Sequence, residues 1–210
     1  MNIFAVTAYF AETLPIVFYL IFLKRNRGEG LWVIFLYCVL SLLTEAIFAI
    51  TRQPVVFSIF IILQFTLFSF FFYSSLKGKR VKYIPIVGAL VFYGFAIANF
   101  TNKRFDSIST SLSSVLIISY CILLLYEQIR DSTTEFVYYN KKFWVIIAFF
   151  IYSSATLFLY IYFSTLSGQQ RHSYWIINNF FEILKNILFS VSFIMKKRDK
   201  PAYAMDTLDT

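Results

Sequence analysis

The sequence predicts an all-α polytopic membrane protein of seven transmembrane helices, and three observations carry that expectation. Hydrophobic residues fill 59% of the 210 positions and charged residues 14%, with a mean hydropathy of +0.69, outside the mix of an ordinary soluble domain. Apolar runs of about 20 residues, each enough to cross a hydrocarbon core of about 30 Å, recur between clusters of charge. The basic residues gather in alternate loops.

The runs cover about 4–23, 31–50, 55–76, 83–100, 108–129, 143–163 and 174–195. The first lacks the basic n-region and small-residue cleavage site of a secretory signal, so it is expected to stay as a helix. The fourth carries Pro85, Gly88 and Gly94, which weaken helix propensity. It is still read as spanning, because neighbouring helices can satisfy the backbone groups these residues free. The fifth has a hydroxyl face of Ser107, Thr110, Ser111 and Ser114, and the sixth has Ser153, Ser154 and Thr156 near its middle. For these, packing of one helix on another is the favoured explanation. The division is therefore a seven-helix domain over 1–195 and a basic tail over 196–210, with no separate output or catalytic domain expected.

Orientation follows from the positive charges. Lys24, Arg25 and Arg27, Lys77, Lys79, Arg80 and Lys82, Arg130, Lys141 and Lys142, and the tail residues Lys196, Lys197, Arg198 and Lys200 fall in odd-numbered loops or the tail. Only Arg52, Lys103, Arg104 and Arg171 fall in the even-numbered loops. The positive-inside rule then places the amino terminus outside and the tail in the cytoplasm. Topology and attraction to anionic lipid heads account for the net charge of +8, and no nucleic-acid partner is expected.

The seventh run holds the strongest functional signal. Asn178, Glu182, Lys185 and Asn186, spaced i, i+4, i+7 and i+8, share one face of an otherwise apolar helix. A lysine or carboxylate at bilayer depth costs about 2.5–3.5 kcal/mol on insertion scales, so these groups should face a protein interior, a water cavity or each other. Glu12, Glu45, Gln64 and Glu182 all fall in the outer half of their runs and define one layer. Three acids against the single intramembrane cation Lys185 cannot all be ionised and paired, so at least one should carry a proton or meet water. Glu182 and Lys185 are three apart and can bridge directly, leaving a static pair and a responsive site as open alternatives. The candidate ligand-binding residues are Glu12, Glu45, Gln64, Asn178, Glu182 and Lys185.

Aromatic residues near run ends, among them Tyr138 with Tyr139, Trp144, Tyr160 with Tyr162, and Tyr174 with Trp175, read as an interfacial belt, favoured over a cation-binding cage. Cys38 and Cys121 read as buried free thiols. Placing the second run on the sixth, at an offset of 112, matches Trp32, Val33, Ile34, Ser41 and Thr44 with Trp144, Val145, Ile146, Ser153 and Thr156. This suggests a parallel 3+1+3 pseudo-repeat with the fourth helix as an inverting linker and a site between the halves.

Leu14-Pro15, the stretch Ser41-Leu42-Leu43-Thr44-Glu45, Phe143-Trp144 and Asn186-Ile187-Leu188 together resemble a family of small, largely uncharacterised seven-span inner-membrane proteins of Bacteroidota. The resemblance implies a multi-pass protein of the bacterial inner (plasma) membrane. It differs at Gln64, where that family often has a carboxylate, and it brings no settled activity. The 3+1+3 plan is also similar to that of sugar and vitamin carriers and of opsins, although the paired prolines of the sugar carriers are missing. A retinal Schiff base on Lys185 is disfavoured, since the third run has no acidic counter-ion.

Two function classes remain open: a carrier that binds and translocates a small polar solute, and a receptor or accessory subunit whose basic cytoplasmic loops dock a protein partner. Membrane lipids are expected partners of either. An enzyme is not expected, nor any cofactor or metal. His172, the single histidine, falls in a loop, and neither a His-Glu-x-x-His helix nor a Gly-x-Ser-x-Gly elbow occurs.

Overall fold

The computed structural model describes residues 3–27, 30–99, 107–131, 137–162 and 168–196. Helices occupy each apolar stretch: α1 (Ile3–Ile21), the single-turn α2 (Leu23–Asn26), α3 (Trp32–Thr51), α4 (Val55–Ser75), α5 (Tyr83–Ala98), α6 (Ser107–Asp131), α7 (Lys141–Tyr162) and α8 (Gly168–Ile194). A 3-10 turn, Val137–Tyr139, precedes α7. Among the described residues there is no strand.

Four helices, Trp32–Thr51, Val55–Ser75, Ser107–Arg130 and Lys141–Tyr162, are long and apolar enough to cross a membrane. The other long helices fall short for separate reasons. In α1 the described apolar stretch is Thr7–Ile21, and α5 has 16 residues, or about 24 Å at 1.5 Å per residue. In α8 the polar stripe and the polar start dilute an otherwise apolar sequence. Large apolar side chains face outward on every long helix: Phe10, Ile50, Phe70, Leu90, Ile129, Phe158 and Phe180 are all exposed. So much outward apolar surface belongs to a membrane protein rather than a water-soluble one.

The helices pack in a closed circuit. α1 lies against α3 and α8, α3 against α4, α4 against α6, α6 against α7, and α7 against α8, while α5 sits mainly on α4 and α6. Gly88 is what lets α5 settle there: a Cβ at this position would stand 1.8 Å from the Tyr120 hydroxyl of α6. Pro85 and Gly88 are thus accommodated in one continuous helix, as read from the sequence. Between α3 and α4 the turn is sharp, with Arg52 at φ 55° closing α3 by donating its N–H to the Phe48 carbonyl at 2.8 Å.

Inside the circuit the core is mainly aromatic. Tyr37, Phe68, Phe149 and Phe189 contact one another through tilted and edge-on rings with centroids 4.2–6.2 Å apart, and Phe65, Phe72, Phe92 and Tyr120 form a second group toward α5. Such arrangements match ring edges to ring faces. Four of the five pairs matched between α3 and α7 in the sequence bury alike: Val33, Ile34, Ser41 and Thr44, and Val145, Ile146, Ser153 and Thr156, all point inward, whereas Trp32 is exposed and Trp144 half-buried. Cys38 and Cys121 are buried free thiols.

Candidate functional site

A cavity of about 90 Å³ lies at the centre of the circuit, enough for a few waters. Five of the six residues singled out from the sequence line it: Glu12 of α1, Glu45 of α3, Gln64 of α4, and Asn178 and Glu182 of α8. Ser41, Thr44, Ser114 and Ser153 are in its wall as well, joined by Ser113, which the sequence did not distinguish. No residue of α5 lines it. The cavity belongs to the end of the bundle at which α3 finishes and α4, α6 and α8 begin, the end predicted to be outer.

Lys185, the sixth residue, stands behind the wall. It is 1% exposed and forms an ion pair with Glu182, which is 13% exposed and reaches the cavity. Its ammonium also donates to the Tyr37 hydroxyl at 2.6 Å and lies 4.9 Å from the Tyr37 ring centroid and 4.4 Å from that of Tyr152. A carboxylate, a phenol and two ring faces make this an ammonium cage, whose contacts each favour a desolvated cation. The direct Glu182–Lys185 bridge is therefore present. Asn186 is buried with its Nδ2 unpaired and does not line the cavity.

The two remaining acids are held differently. Glu12, 3% exposed, accepts from Ser41 Oγ at 2.9 Å through Oε1, while Oε2 is buried and makes no hydrogen bond. Glu45, one turn beyond Ser41 on the same face of α3, is within electrostatic reach of Glu12 and Glu182. Thr44, Ser113 and Ser114 donate to carbonyls of their own helices, Leu40 at 2.8 Å and Thr110 at 2.7 and 3.0 Å. That habit of hydroxyls in apolar helices commits their protons and leaves lone pairs free.

Tyr160 corrects the belt reading. Its hydroxyl donates to Asn178 Oδ1 at 3.2 Å, Tyr152 donates to the same oxygen at 3.3 Å, and the two hydroxyls are 3.2 Å apart. Tyr160, Tyr152 and Tyr37 are part of the cavity wall. Trp175, also assigned to the belt, is at the rim of the cavity, 42% exposed. A tyrosine eight residues from another on α7 is the signal that could have marked the pair, since i, i+4 and i+8 share a helix face.

Buried charge at the opposite end escaped the sequence reading. Lys141, read as a loop cation, is 2% exposed; its ammonium donates to the Arg25 carbonyl at 3.1 Å and Asn26 Oδ1 at 3.0 Å. Asn26 in turn donates to the Phe193 carbonyl at 3.2 Å, and Ser192 donates to the Lys141 carbonyl at 2.9 Å. Arg25 donates to the Ile194 carbonyl. Together they tie α2, α7 and the end of α8, satisfying carbonyls that a helix terminus leaves open. Glu127, 5% exposed, accepts the backbone N–H groups of Lys77 and Gly78 at 2.9 and 3.1 Å and so pins the α4–α5 turn. Arg171 and His172, read as loop residues, fall within α8; their side chains, and all of residues 197–210, fall outside the described residues.

No group of three histidine, cysteine, aspartate or glutamate side chains close enough to hold a metal ion occurs among the described residues. Comparison with protein-family models, with curated proteins and with solved structures gave no match. Chemically, the cavity offers acidic and hydroxyl acceptors to a small molecule, with the Lys185 ammonium fixed behind the wall.

Proposed function

We propose that the protein is a seven-helix carrier that binds a small polar solute in this cavity and moves it across the bacterial inner membrane. In this reading all seven long helices cross, the amino terminus is outside, and α1, α3 and α4 form one half while α6, α7 and α8 form the other, with α5 as the linker. Inward faces that match between α3 and α7 support the two-fold plan. The single observation that carries the function is the meeting of Glu12, Glu45 and Gln64 from one half with Asn178 and Glu182 from the other around one cavity. Sites of carriers built from repeats lie at such seams, and rocking of one half on the other exposes them alternately.

The test is uptake into proteoliposomes from a panel of small polar solutes. Saturable uptake, lowered at least tenfold by Glu45→Gln, is the expected result; a panel that neither binds nor moves, with Glu45→Gln indistinguishable from the parent, would remove the reading.

One observation favours a second reading, a receptor or accessory subunit. The Tyr37, Phe68, Phe149 and Phe189 rings lie in contact beneath the polar cavity, and a protein that senses a ligand needs no passage through them. Its partner would dock on the basic loops at the opposite end. Binding without uptake, together with a crosslinked membrane or cytoplasmic partner, would select it.

A further inference from the structure

We propose that the solute is a compact organic cation and that its entry expels a proton from the cavity; this rests on reading the cavity as a solute site. Charge is the starting point. Among the described residues Glu12, Glu45 and Glu182 line the cavity and no lysine, arginine or histidine does, and the ammonium of Lys185 is committed to Glu182 and Tyr37. Glu12 and Glu45 are left without a cation of their own among the described residues. A desolvated carboxylate in that state must take up either a proton or a donor-bearing cation.

Acceptor geometry points the same way. Glu12 has one oxygen bound by Ser41 and the other, buried Oε2, unbonded. Thr44, Ser113 and Ser114 have spent their protons on their own helices, so they offer lone pairs to whatever occupies the space. The molecule also displays the group it accommodates: Lys185 holds an ammonium between the Tyr37 and Tyr152 rings, and both tyrosines contribute to the cavity wall. An anion would meet carboxylates, and a neutral solute would gain nothing from their charge, whereas a cation can take the place of the proton. A multivalent metal lacks a cluster of three acids close enough to ligate it among the described residues. A volume of about 90 Å³ suits a small cation of a few non-hydrogen atoms.

The titratable groups around Glu12 and Glu45 come from four helices: Tyr9 from α1, Tyr37 and Cys38 from α3, Tyr152 and Tyr160 from α7, and Glu182 with Lys185 from α8. In the wall, α4 and α6 add neutral groups, chiefly Gln64, Thr110, Ser113 and Ser114. In the empty site Glu12 and Glu45 hold a proton between them. When the cation arrives, its N–H groups bond to the two carboxylates, the carboxyl O–H breaks, and the proton passes to water. One positive charge enters as one leaves.

The experiment uses the full chain in lipid nanodiscs, weakly buffered, with a pH-indicating dye. Trp175 serves as the reporter in a Trp32→Phe/Trp144→Phe background, and the probes are methylammonium, guanidinium and ethanolamine against acetamide and acetate. Expected are saturable binding of the cations, about one proton released per cation, and an affinity that falls about tenfold for each unit by which the pH is lowered while the empty site is protonated, as linkage requires. Glu12→Gln and Glu45→Gln should each weaken binding at least tenfold and abolish proton release. Glu127→Gln, at the opposite end of the bundle and outside the cavity wall, should bind the cations and release the proton as the parent does. Binding of acetamide or acetate in place of the cations, cation binding without proton release, or equal competition by sodium or potassium chloride would overturn this inference while leaving a solute site. Silence from every probe, with the Gln variants indistinguishable from the parent, would overturn both.

Discussion

The two ends of the bundle both bury charge, yet they treat it in opposite ways. At the end predicted to be cytoplasmic, buried charge is held by fixed groups: Lys141 donates to a carbonyl and an amide oxygen, and Glu127 accepts from two backbone N–H groups. At the other end Glu12 keeps an unbonded oxygen beside a cavity. Burial of an ionisable side chain is therefore a poor marker of function by itself. Saturation by immobile neighbours makes a clamp, and incomplete saturation beside open space makes a site.

That contrast is broken or sharpened most strongly at Glu182. Glu182→Ala leaves the Lys185 ammonium buried beside Tyr37 without its carboxylate, and should cost about 3–5 kcal/mol in reversible denaturation in mixed micelles. Glu182→Gln/Lys185→Met removes both charges and should cost far less; equal losses for the two variants would mean that the pair contributes nothing as a pair.

Next in size is Lys141→Met, which strips donors from the Arg25 carbonyl and Asn26. A loss of about 1–3 kcal/mol is expected, with ligand affinity unchanged in the fraction that stays folded. Should affinity vanish while the melting temperature holds, the clamp would have to be counted as part of the site.

Smaller still is Glu127→Gln, which keeps one acceptor for the Lys77 and Gly78 amides and gives up charge assistance, at about 1–2 kcal/mol. Faster amide exchange confined to the α4–α5 turn is the readout. Smallest in stability, and largest in binding, are Glu12→Gln and Glu45→Gln. Removing an unmatched carboxylate should leave folding within about 1 kcal/mol of the parent or improve it, as functional sites traded for stability do. Thermal unfolding of these variants in the same micelles checks the point, and a drop of several kcal/mol would make them structural.

The helices were legible because apolar runs and charge punctuation are additive over 20 residues, and local errors average out. Five cavity residues were legible too, since Glu12, Glu45, Gln64, Asn178 and Glu182 are too costly in hydrocarbon to be placed there idly. Tyr160 was misread and Tyr37 and Tyr152 were passed over because a tyrosine suits a membrane interface, an aromatic core and a polar wall equally well. Only its neighbours in space decide. Lys141 was lost for a related reason: a lysine at a helix start normally snorkels to water, and its burial depends on Asn26, more than a hundred positions away.

The position of α5 has a consequence for how the chain can be divided. It touches α4 and α6 yet contributes nothing to the cavity, so every acid, hydroxyl and ring of the wall resides in one of two pieces that this helix merely tethers. A nick in the polypeptide beside α5 would thus yield two fragments, each carrying its full share of the binding groups, able to reassemble in the bilayer by side-to-side association alone.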